Sequence, residues 1–282
     1  IGMAAGFDRN GEIFSELDAL GFGFVEIGTV TAQPQTGNPK PRVFKLSDDM
    51  AIMNRVGLSS KGLERVISNI RQRNNGVVLG CNIGKNSSTA PENAPQDYLR
   101  VFRNLYQYVD YFTVNVSYNT SFKQYVPRTR ESIISILEPL FDFRRGQNQY
   151  RPILLKISPD LSNEDIDMMT DIMVDTPLDG IVATNGTVRH TGLVTDAEQL
   201  KRYGAGAVSG KPLTKRSVEV VRRVYERSNG TYPIIGVGGV MTPADAKAML
   251  EAGATLVQVY TGYVYNGPNF VGNICRELIN RK

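Results

Sequence analysis

The sequence contains very little histidine and cysteine. His190 is its one histidine, which excludes a histidine-rich zinc site, and we expect no metal centre. Cys81 and Cys275 are its two cysteines, and their wide separation excludes both a disulfide framework and a cysteine metal cluster. A reducing compartment fits this composition. Hydroxyls, amides, lysines and carboxylates remain for catalysis, so a bound cofactor is an attractive source of chemistry.

Charge of one sign and long apolar runs are also scarce. Lysine plus arginine total 32 against 28 for aspartate plus glutamate, and the net charge of +4 is spread thinly without a basic cluster. This pattern argues against a nucleic-acid partner. The longest uncharged stretch, residues 252–275, contains several glycines and Pro268, so it predicts a strand, a turn and a helix rather than a membrane span.

Eight short apolar runs alternate with helical patterns along the chain. Strands separated by helices pair in parallel through right-handed crossovers, and eight such strands in 282 residues predict a (β/α)8 barrel of the α/β class. No change in composition divides the chain, so we expect residues 1–282 to form a single domain. The predicted strands are residues 2–5, 24–28, 77–83, 111–116, 153–157, 180–184, 234–238 and 256–260.

Helix starts are marked at two places between these strands. Ser162 precedes acidic residues and then apolar residues at helical spacing, which indicates an N-cap. Thr242 followed by Pro243 marks a second start, and Gly253 stands where that helix should end. Residues 29–60 contain too many prolines and glycines for a helix, and we expect them to form an excursion over the barrel mouth.

Three asparagines lie at or just after the ends of predicted strands. Because catalytic groups of such barrels lie at the carboxyl ends of the strands, Asn82, Asn115 and Asn185 should converge on one mouth. Three amides there suit a flat heterocycle whose rim alternates donors and acceptors. Each asparagine alone is equally well explained as a turn cap, but the set of three favours a ligand.

Glycine-rich segments follow the last two predicted strands. "IIGVGGV" and "VQVYTG" place backbone N–H groups where such barrels commonly hold a phosphate. "AVSGKPL" adds Ser209 and Gly210 to the same cup. Glycine lets the chain approach an anion closely, although glycine-rich strand ends also serve packing.

Lys156 interrupts an apolar strand, where a charged side chain is costly without a partner. Four roles stay open: a structural ion pair, a Schiff-base nucleophile, a phosphate ligand, or a cation beside an electron-rich cofactor ring. The amide cluster and the phosphate signal favour the last of these.

Ordered motifs along essentially the whole chain resemble the dihydroorotate dehydrogenases. "MAAGFDRNGE", "LGCNIGKN", "LLKISPDLS", "DGIVATN" and "GATLVQVYTGYVY" occur in the order of that family. "TVTAQPQTGNPKPR" and "NRVGL" resemble its quinone-linked class 2 branch rather than the fumarate-linked one. The resemblance implies FMN-dependent oxidation of dihydroorotate to orotate in de novo pyrimidine (UMP) biosynthesis, with the electrons passed to a quinone. A base removes one proton of the substrate while hydride moves to the flavin.

The resemblance also implies the residues of the site. Those expected to hold FMN are Ala4, Ala5, Gly6, Thr29, Asn82, Asn115, Lys156, Thr184, Ser209, Gly210, Gly238, Gly239, Tyr260 and Thr261. Those expected to frame dihydroorotate or orotate are Arg9, Asn54, Arg55, Val56, Gly57, Leu58, Asn115, Asn119, Asn185 and Gly186.

Three positions depart from the family pattern. Arg9 stands in place of a lysine, which keeps the charge and adds a fork suited to a carboxylate. Gly186 stands in place of a threonine, with Thr187 next, so one hydroxyl contact to the substrate is expected to be lost. "NVSYNT" is one residue shorter than its family counterpart, and we assign Ser117 as the base. The alternative is that residues of this loop, the base among them, are absent from the sequence.

Two rival functions fit parts of the sequence. A phosphate-binding barrel lyase would use Lys156 as a Schiff base, and a catalytically silent barrel would bind FMN without turnover. Neither accounts for the ordered motifs. The class 2 resemblance further implies a peripheral membrane protein, at the cytoplasmic face of a bacterial inner membrane or at the mitochondrial inner membrane. We expect the membrane-associating segment that precedes the barrel in that branch to be absent from this chain.

Overall fold

The computed structural model describes residues 1–73, 76–116 and 129–280. Its strands, in chain order, are β1 Gly2–Met3, β2 Phe24–Val30, β3 Val43–Leu46, β4 Ala51–Asn54, β5 Val78–Ile83, β6 Tyr111–Asn115, β7 Ile153–Ile157, β8 Gly180–Ala183, β9 Ala207–Gly210, β10 Ile234–Val237 and β11 Leu256–Val259. Eight of them close into a parallel barrel in the order β1-β11-β10-β8-β7-β6-β5-β2. These eight coincide with the eight predicted strands, and the (β/α)8 barrel is confirmed.

Helices follow the barrel strands on the outside. In the described residues they are α1 Phe14–Ala19, α2 Leu63–Ile70, α3 Ala94–Leu105, α4 Arg130–Arg145, α5 Asn163–Asp175, α6 Ala197–Tyr203, α7 Thr214–Arg227, α8 Pro243–Glu251, α9 Thr261–Asn266 and α10 Phe270–Ile279. Both predicted helix starts are confirmed: Ser162 caps α5 by accepting from the Asp165 N–H, and Thr242 forms a reciprocal capping box with Asp245 at α8. None of the described helices combines the length and the apolar character that a membrane crossing requires.

Alternation along the strands divides the core into two parts. On β2, Val25 and Ile27 pack in the layer between the barrel and its helices, whereas Phe24 belongs to a separate cluster inside the barrel. The ring of Tyr111 also lies inside, where it occupies the space of a Cβ at Gly80, 2.0 Å away. Rings and aliphatic side chains therefore fill the amino-terminal part of the barrel, which leaves the carboxyl end for polar side chains.

A three-stranded antiparallel sheet, in the order β3-β4-β9, stands beside the barrel mouth. Ala51 pairs with Gly210 and Asn54 with Ala207, so the β3–β4 hairpin joins a strand that is remote in sequence. As expected, residues 29–60 contain no helix and lie at the barrel mouth. The β3–β4 hairpin within them and β9 were not predicted. β9 pairs with β4 from a distant part of the chain, so this pairing leaves no local signal in the sequence.

Candidate active site

A cavity of about 440 Å³ opens at the carboxyl ends of the barrel strands and is bordered by the antiparallel sheet. Its lining is drawn from strand ends that are far apart in sequence. It includes all fourteen residues that the sequence assigns to FMN: Ala4, Ala5, Gly6, Thr29, Asn82, Asn115, Lys156, Thr184, Ser209, Gly210, Gly238, Gly239, Tyr260 and Thr261. The fold thus brings these residues together, while the identity of their ligand stays a prediction.

The residues predicted to frame the substrate fall into three groups. Eight line the same cavity: Arg9, Asn54, Val56, Gly57, Leu58, Asn115, Asn185 and Gly186. Asn119 and the predicted base Ser117 lie outside the described residues. Arg55 is described, but it is not part of the cavity lining.

Arg55 joins the β3–β4 hairpin to the segment around α6. Its guanidinium donates to the carbonyl oxygens of Tyr203, Ala205 and Pro41, the last two at 3.2 and 3.1 Å. It also stacks over the Phe44 ring at 4.8 Å, and that ring stacks on Tyr203 with 4.3 Å between centroids. The described donors of Arg55 hold backbone carbonyl groups outside the cavity, and its predicted substrate contact stays a prediction.

A chain of hydrogen bonds links the three amides, and we call it the amide relay. Asn82 Nδ2 donates to Glu26 Oε1 at 2.9 Å, and Asn82 Oδ1 accepts from the Thr29 hydroxyl at 2.6 Å. Asn115 Nδ2 donates to Thr29 Oγ1 at 3.2 Å, and Asn115 Oδ1 accepts from Asn185 Nδ2 at 3.4 Å. The amide relay thus comprises Glu26, Asn82, Thr29, Asn115 and Asn185, and its links fix which side of each amide is the donor.

In the part of the chain that the structure describes, turn capping, the alternative interpretation of these asparagines, is seen at Asn185. Asn185 Oδ1 accepts from the neighbouring Gly186 N–H at 3.0 Å, which is a local turn contact. Asn82 and Asn115 instead bond to residues on other strands, as a convergent set requires. The prediction that the three amides meet at one mouth is confirmed.

Glu26 is a functional candidate that the sequence reasoning missed. It lies on β2 inside the barrel and is fully buried. Its Oε1 accepts from Asn82, and its Oε2 accepts from Tyr111 Oη at 3.2 Å and from Gln258 Nε2 at 2.9 Å. A charged residue within the apolar run "FVEIG" is the same signal that singled out Lys156 in "ILLKI", and it could have identified Glu26 as well.

Burial and the Glu26 charge shift the pKa values of titratable groups inside the barrel. Burial lowers the pKa of the Lys156 ammonium, and the Glu26 carboxylate acts in the opposite direction. Burial and then the Glu26 charge raise the pKa of the Cys81 thiol and that of the Tyr111 phenol well above their ordinary values. The Glu26 charge therefore offsets part of the cost of burying the Lys156 ammonium.

Glycines at the ends of β9 and β10 let the chain approach its neighbours closely at the cavity wall. Gly210, Gly238 and Gly239 have φ angles of +104°, +110° and +76°, which L side chains rarely adopt. A Cβ at Gly239 would lie 2.2 Å from the Thr214 backbone nitrogen. Ser209 Oγ and Thr261 Oγ1, 2.8 Å apart, join β9 to the start of α9 at the same place. Hydroxyls and backbone groups are thus crowded together where the sequence predicts a phosphate.

Two departures from the family pattern have clear structural settings. Arg9 lines the cavity near Tyr260, whose pKa is raised by burial and lowered in part by the Arg9 charge. Gly186 lines the cavity, but the Thr187 hydroxyl donates to the Asp160 carboxylate. Thr187 is therefore engaged away from the position that a hydroxyl at residue 186 would take.

The closed parallel barrel and a polar cavity at the carboxyl ends of its strands define the class: a (β/α)8-barrel enzyme. A family model described as dihydroorotate dehydrogenase matches residues 1–281. The chain belongs to the dihydroorotate dehydrogenase family.

Individual relatives agree with this assignment. A protein of Christiangramia forsetii named dihydroorotate dehydrogenase (quinone) is 43% identical over 281 residues, which cover 100% of this chain and 81% of the relative. A protein of the same name from Nitrosospira multiformis is 43% identical over 99% of this chain and 81% of its own length. The crystal structure of the Eimeria tenella enzyme in complex with ferulenol superimposes with a TM-score of 0.91 at 33% identity, covering 99% of this chain and 80% of that one.

Proposed function

We propose that this chain oxidises dihydroorotate to orotate in pyrimidine biosynthesis and passes the electrons to a quinone, as one FMN-binding barrel domain over residues 1–282. One observation carries the proposal. The fourteen residues assigned to FMN by family resemblance come from distant parts of the chain and nevertheless line a single cavity of about 440 Å³. That volume falls within the range of small-molecule and cofactor sites.

The residues of the cavity fit FMN chemically. The crowded glycines with Ser209 and Thr261 offer backbone N–H groups and hydroxyls to a phosphate. The amide relay offers alternating donors and acceptors to the rim of a flat ring. Lys156, only 5% exposed, offers a cation to the electron-rich edge of that ring. When bound, FMN supplies the acceptor for substrate hydride and the donor for the quinone.

Chain residues then bind and orient the substrate. Asn54, Asn115 and Asn185 offer amide contacts to the carbonyl and N–H groups of the dihydropyrimidine ring. The Arg9 fork suits the substrate carboxylate. Val56 and Leu58 add an apolar wall that excludes water from the reacting atoms.

Proton removal is assigned to Ser117, which lies outside the described residues. A serine hydroxyl is a weak base, so this role needs a site sheltered from water and a path for the proton through neighbouring hydroxyls or water. The assignment is tested by S117A, which should slow flavin reduction while leaving FMN bound.

The function is tested on the purified protein. It should be yellow, and dihydroorotate added without oxygen should bleach the visible flavin absorbance; a ubiquinone analogue should then restore it. Colourless protein that does not take up added FMN would overturn the cofactor assignment. Protein that binds FMN but is not bleached would support the silent barrel.

The lowered pKa of Lys156 specifically favours the Schiff-base lyase as a second candidate, because a neutral amine is the nucleophile in such enzymes. Borohydride trapping of a substrate on Lys156 would support it. Bleaching by dihydroorotate without trapping would exclude it.

Quinones dissolve in the bilayer, so we also propose that the protein works as a peripheral protein at the cytoplasmic face of a bacterial inner membrane. The names of the relatives include the word quinone, which supports a quinone as the electron acceptor of this chain. Recovery of the native protein with the membrane fraction, and its release by high salt or mild detergent, would support this location. Recovery only in the soluble fraction would contradict it.

A further inference from the structure

Glu26 lies beneath the cavity and does not belong to its described lining. Its carboxylate is fully buried, and three donors converge on it from three other strands: Asn82 on β5, Tyr111 on β6 and Gln258 on β11. Burying a carboxylate is costly even when it is hydrogen-bonded, and an apolar residue of similar size would avoid that cost. The position therefore invites a role beyond packing.

The donor pattern gives Glu26 control over the amide relay. A carboxylate only accepts hydrogen bonds, so the contact at 2.9 Å forces Asn82 to turn its Nδ2 toward Glu26 and its Oδ1 toward Thr29. Thr29 then donates its only proton to Asn82, which leaves its oxygen to accept from Asn115 Nδ2. Asn115 in turn presents Oδ1 to Asn185. The acceptor at Glu26 thus sets the direction of the links through Asn82, Thr29 and Asn115, and the Gly186 N–H orients Asn185 in the same sense.

We propose that Glu26 is a positioning residue for the active site: its carboxylate fixes which donors and acceptors the cavity amides present. The consequence for FMN and orotate rests on the function proposed above, whereas the direction of the amide relay does not.

Glu26→Gln is the central variant. The glutamine has one acceptor oxygen where Glu26 has two, and its own N–H₂ must face either Asn82 or the pair Tyr111 and Gln258. Either Asn82 turns over, which reverses the amide relay, or a buried donor loses its acceptor. We expect binding of FMN and of orotate to weaken about tenfold, measured by flavin fluorescence and by perturbation of the flavin spectrum.

Thr113→Val is the matched control. Thr113 lies on β6, is fully buried, and its hydroxyl has no hydrogen-bond partner among the described residues. The substitution keeps the shape of the side chain and removes one interior hydroxyl without touching the amide relay. FMN and orotate affinities should change less than twofold. Wild-type affinities in folded E26Q would overturn the positioning role.

An exchange variant tests the hydrogen bond without any cofactor. E26Q/N82D moves the carboxylate across the contact, so that the amide introduced at residue 26 donates to the carboxylate introduced at residue 82, which still accepts from Thr29. N82D alone brings two carboxylates together. We expect the double variant to resist urea better than the sum of the single effects predicts. Additive effects would overturn the proposed link between these residues, whether or not the protein binds FMN.

The effect of the Glu26 charge is measured separately at Lys156, by NMR titration of its ammonium. Charged or titratable groups near Glu26 are Tyr111 on β6, Cys81 on β5 and Lys156 on β7. E26Q should lower the Lys156 pKa further, because the opposing carboxylate is gone. E26D keeps the charge but withdraws it from Asn82, so it should preserve Lys156 titration while still weakening FMN binding. If E26Q does not fold, E26D and the exchange variant decide; E26D with unchanged FMN affinity would overturn the proposal.

Discussion

Ser209 and Thr261 lie with their hydroxyl oxygens 2.8 Å apart, one on β9 and the other at the first residue of α9. Ser209 Oγ lies 3.2 Å from the Ile52 carbonyl oxygen, to which it donates, so β4, β9 and α9 meet at one point. This seam closes the glycine-lined end of the cavity. The antiparallel sheet is thus a wall of the site and not merely an appendage of the barrel.

Replacing Gly210 with alanine should open this seam. The φ angle of Gly210 is +104°, and a Cβ would lie 2.5 Å from the Met50 carbonyl oxygen and 2.8 Å from Thr261 Cγ2. We expect G210A to lower the free energy of unfolding by about 1–3 kcal/mol. FMN binding should weaken by at least about tenfold, since about 1.4 kcal/mol corresponds to that factor. Urea unfolding and flavin fluorescence titration measure the two effects.

Gly76→Ala provides the comparison, because a Cβ at this exposed glycine meets nothing within 4 Å. It should change the free energy of unfolding by no more than about 0.5 kcal/mol. If G210A and G76A bind FMN equally well, the seam does not contribute to the cofactor site.

The barrel could be predicted because its signals are local. Each strand is a short apolar run, and caps such as Ser162 and Thr242 mark helix starts within a few residues. The β3–β4–β9 sheet could not be predicted in the same way, because β9 pairs with a strand that is remote in sequence. The contacts of the Arg55 side chain could not be predicted for the same reason: its partners at residues 203 and 205 are brought near only by the fold.

The residues of the site could be predicted, but the order of the hydrogen bonds between them could not. Family resemblance identified Asn82, Asn115 and Lys156, and barrel topology explains why they converge. The order of the amide relay depends on which strands are neighbours and on which side chains face inward at the same level. Glu26 was overlooked although a lone charge in an apolar strand is visible in the sequence. Its importance became apparent only from the three donors that surround it.

Arg55→Ala separates a structural role from substrate binding. Its guanidinium holds three carbonyl groups and stacks on Phe44, so its loss should lower the free energy of unfolding by about 1–3 kcal/mol. R55K should not restore this stability, because lysine lacks the planar fork. The KM for dihydroorotate should stay close to the wild-type value. R202A, at an exposed arginine of α6, is the control. A large rise in KM with native stability would instead support the original substrate-binding prediction.

Lys156→Met should impair chemistry more than cofactor binding. The methionine fills a similar volume but removes the positive charge of Lys156 from the cavity. One such electrostatic contact is commonly worth about a hundredfold in rate. We therefore expect flavin reduction by dihydroorotate to slow about a hundredfold in stopped-flow experiments. K247M, at an exposed lysine of α8, should reduce its flavin at the wild-type rate. Equal rates in K156M and K247M would remove Lys156 from the mechanism.

The same variant gives a pH test of the buried ammonium. Burial lowers the pKa of Lys156 from its ordinary value of 10.5, so the folded protein binds fewer protons than the unfolded chain between the lowered pKa and 10.5. Below that window the ammonium is charged in both states and its burial reduces stability by the full amount; as the pH rises through the window, this loss is relieved. Wild-type stability relative to K156M should therefore increase as the pH approaches 10.5, measured by urea unfolding of cofactor-free protein. K247M controls for the loss of one surface charge. A decrease toward alkaline pH would show that Glu26 outweighs burial and raises the Lys156 pKa.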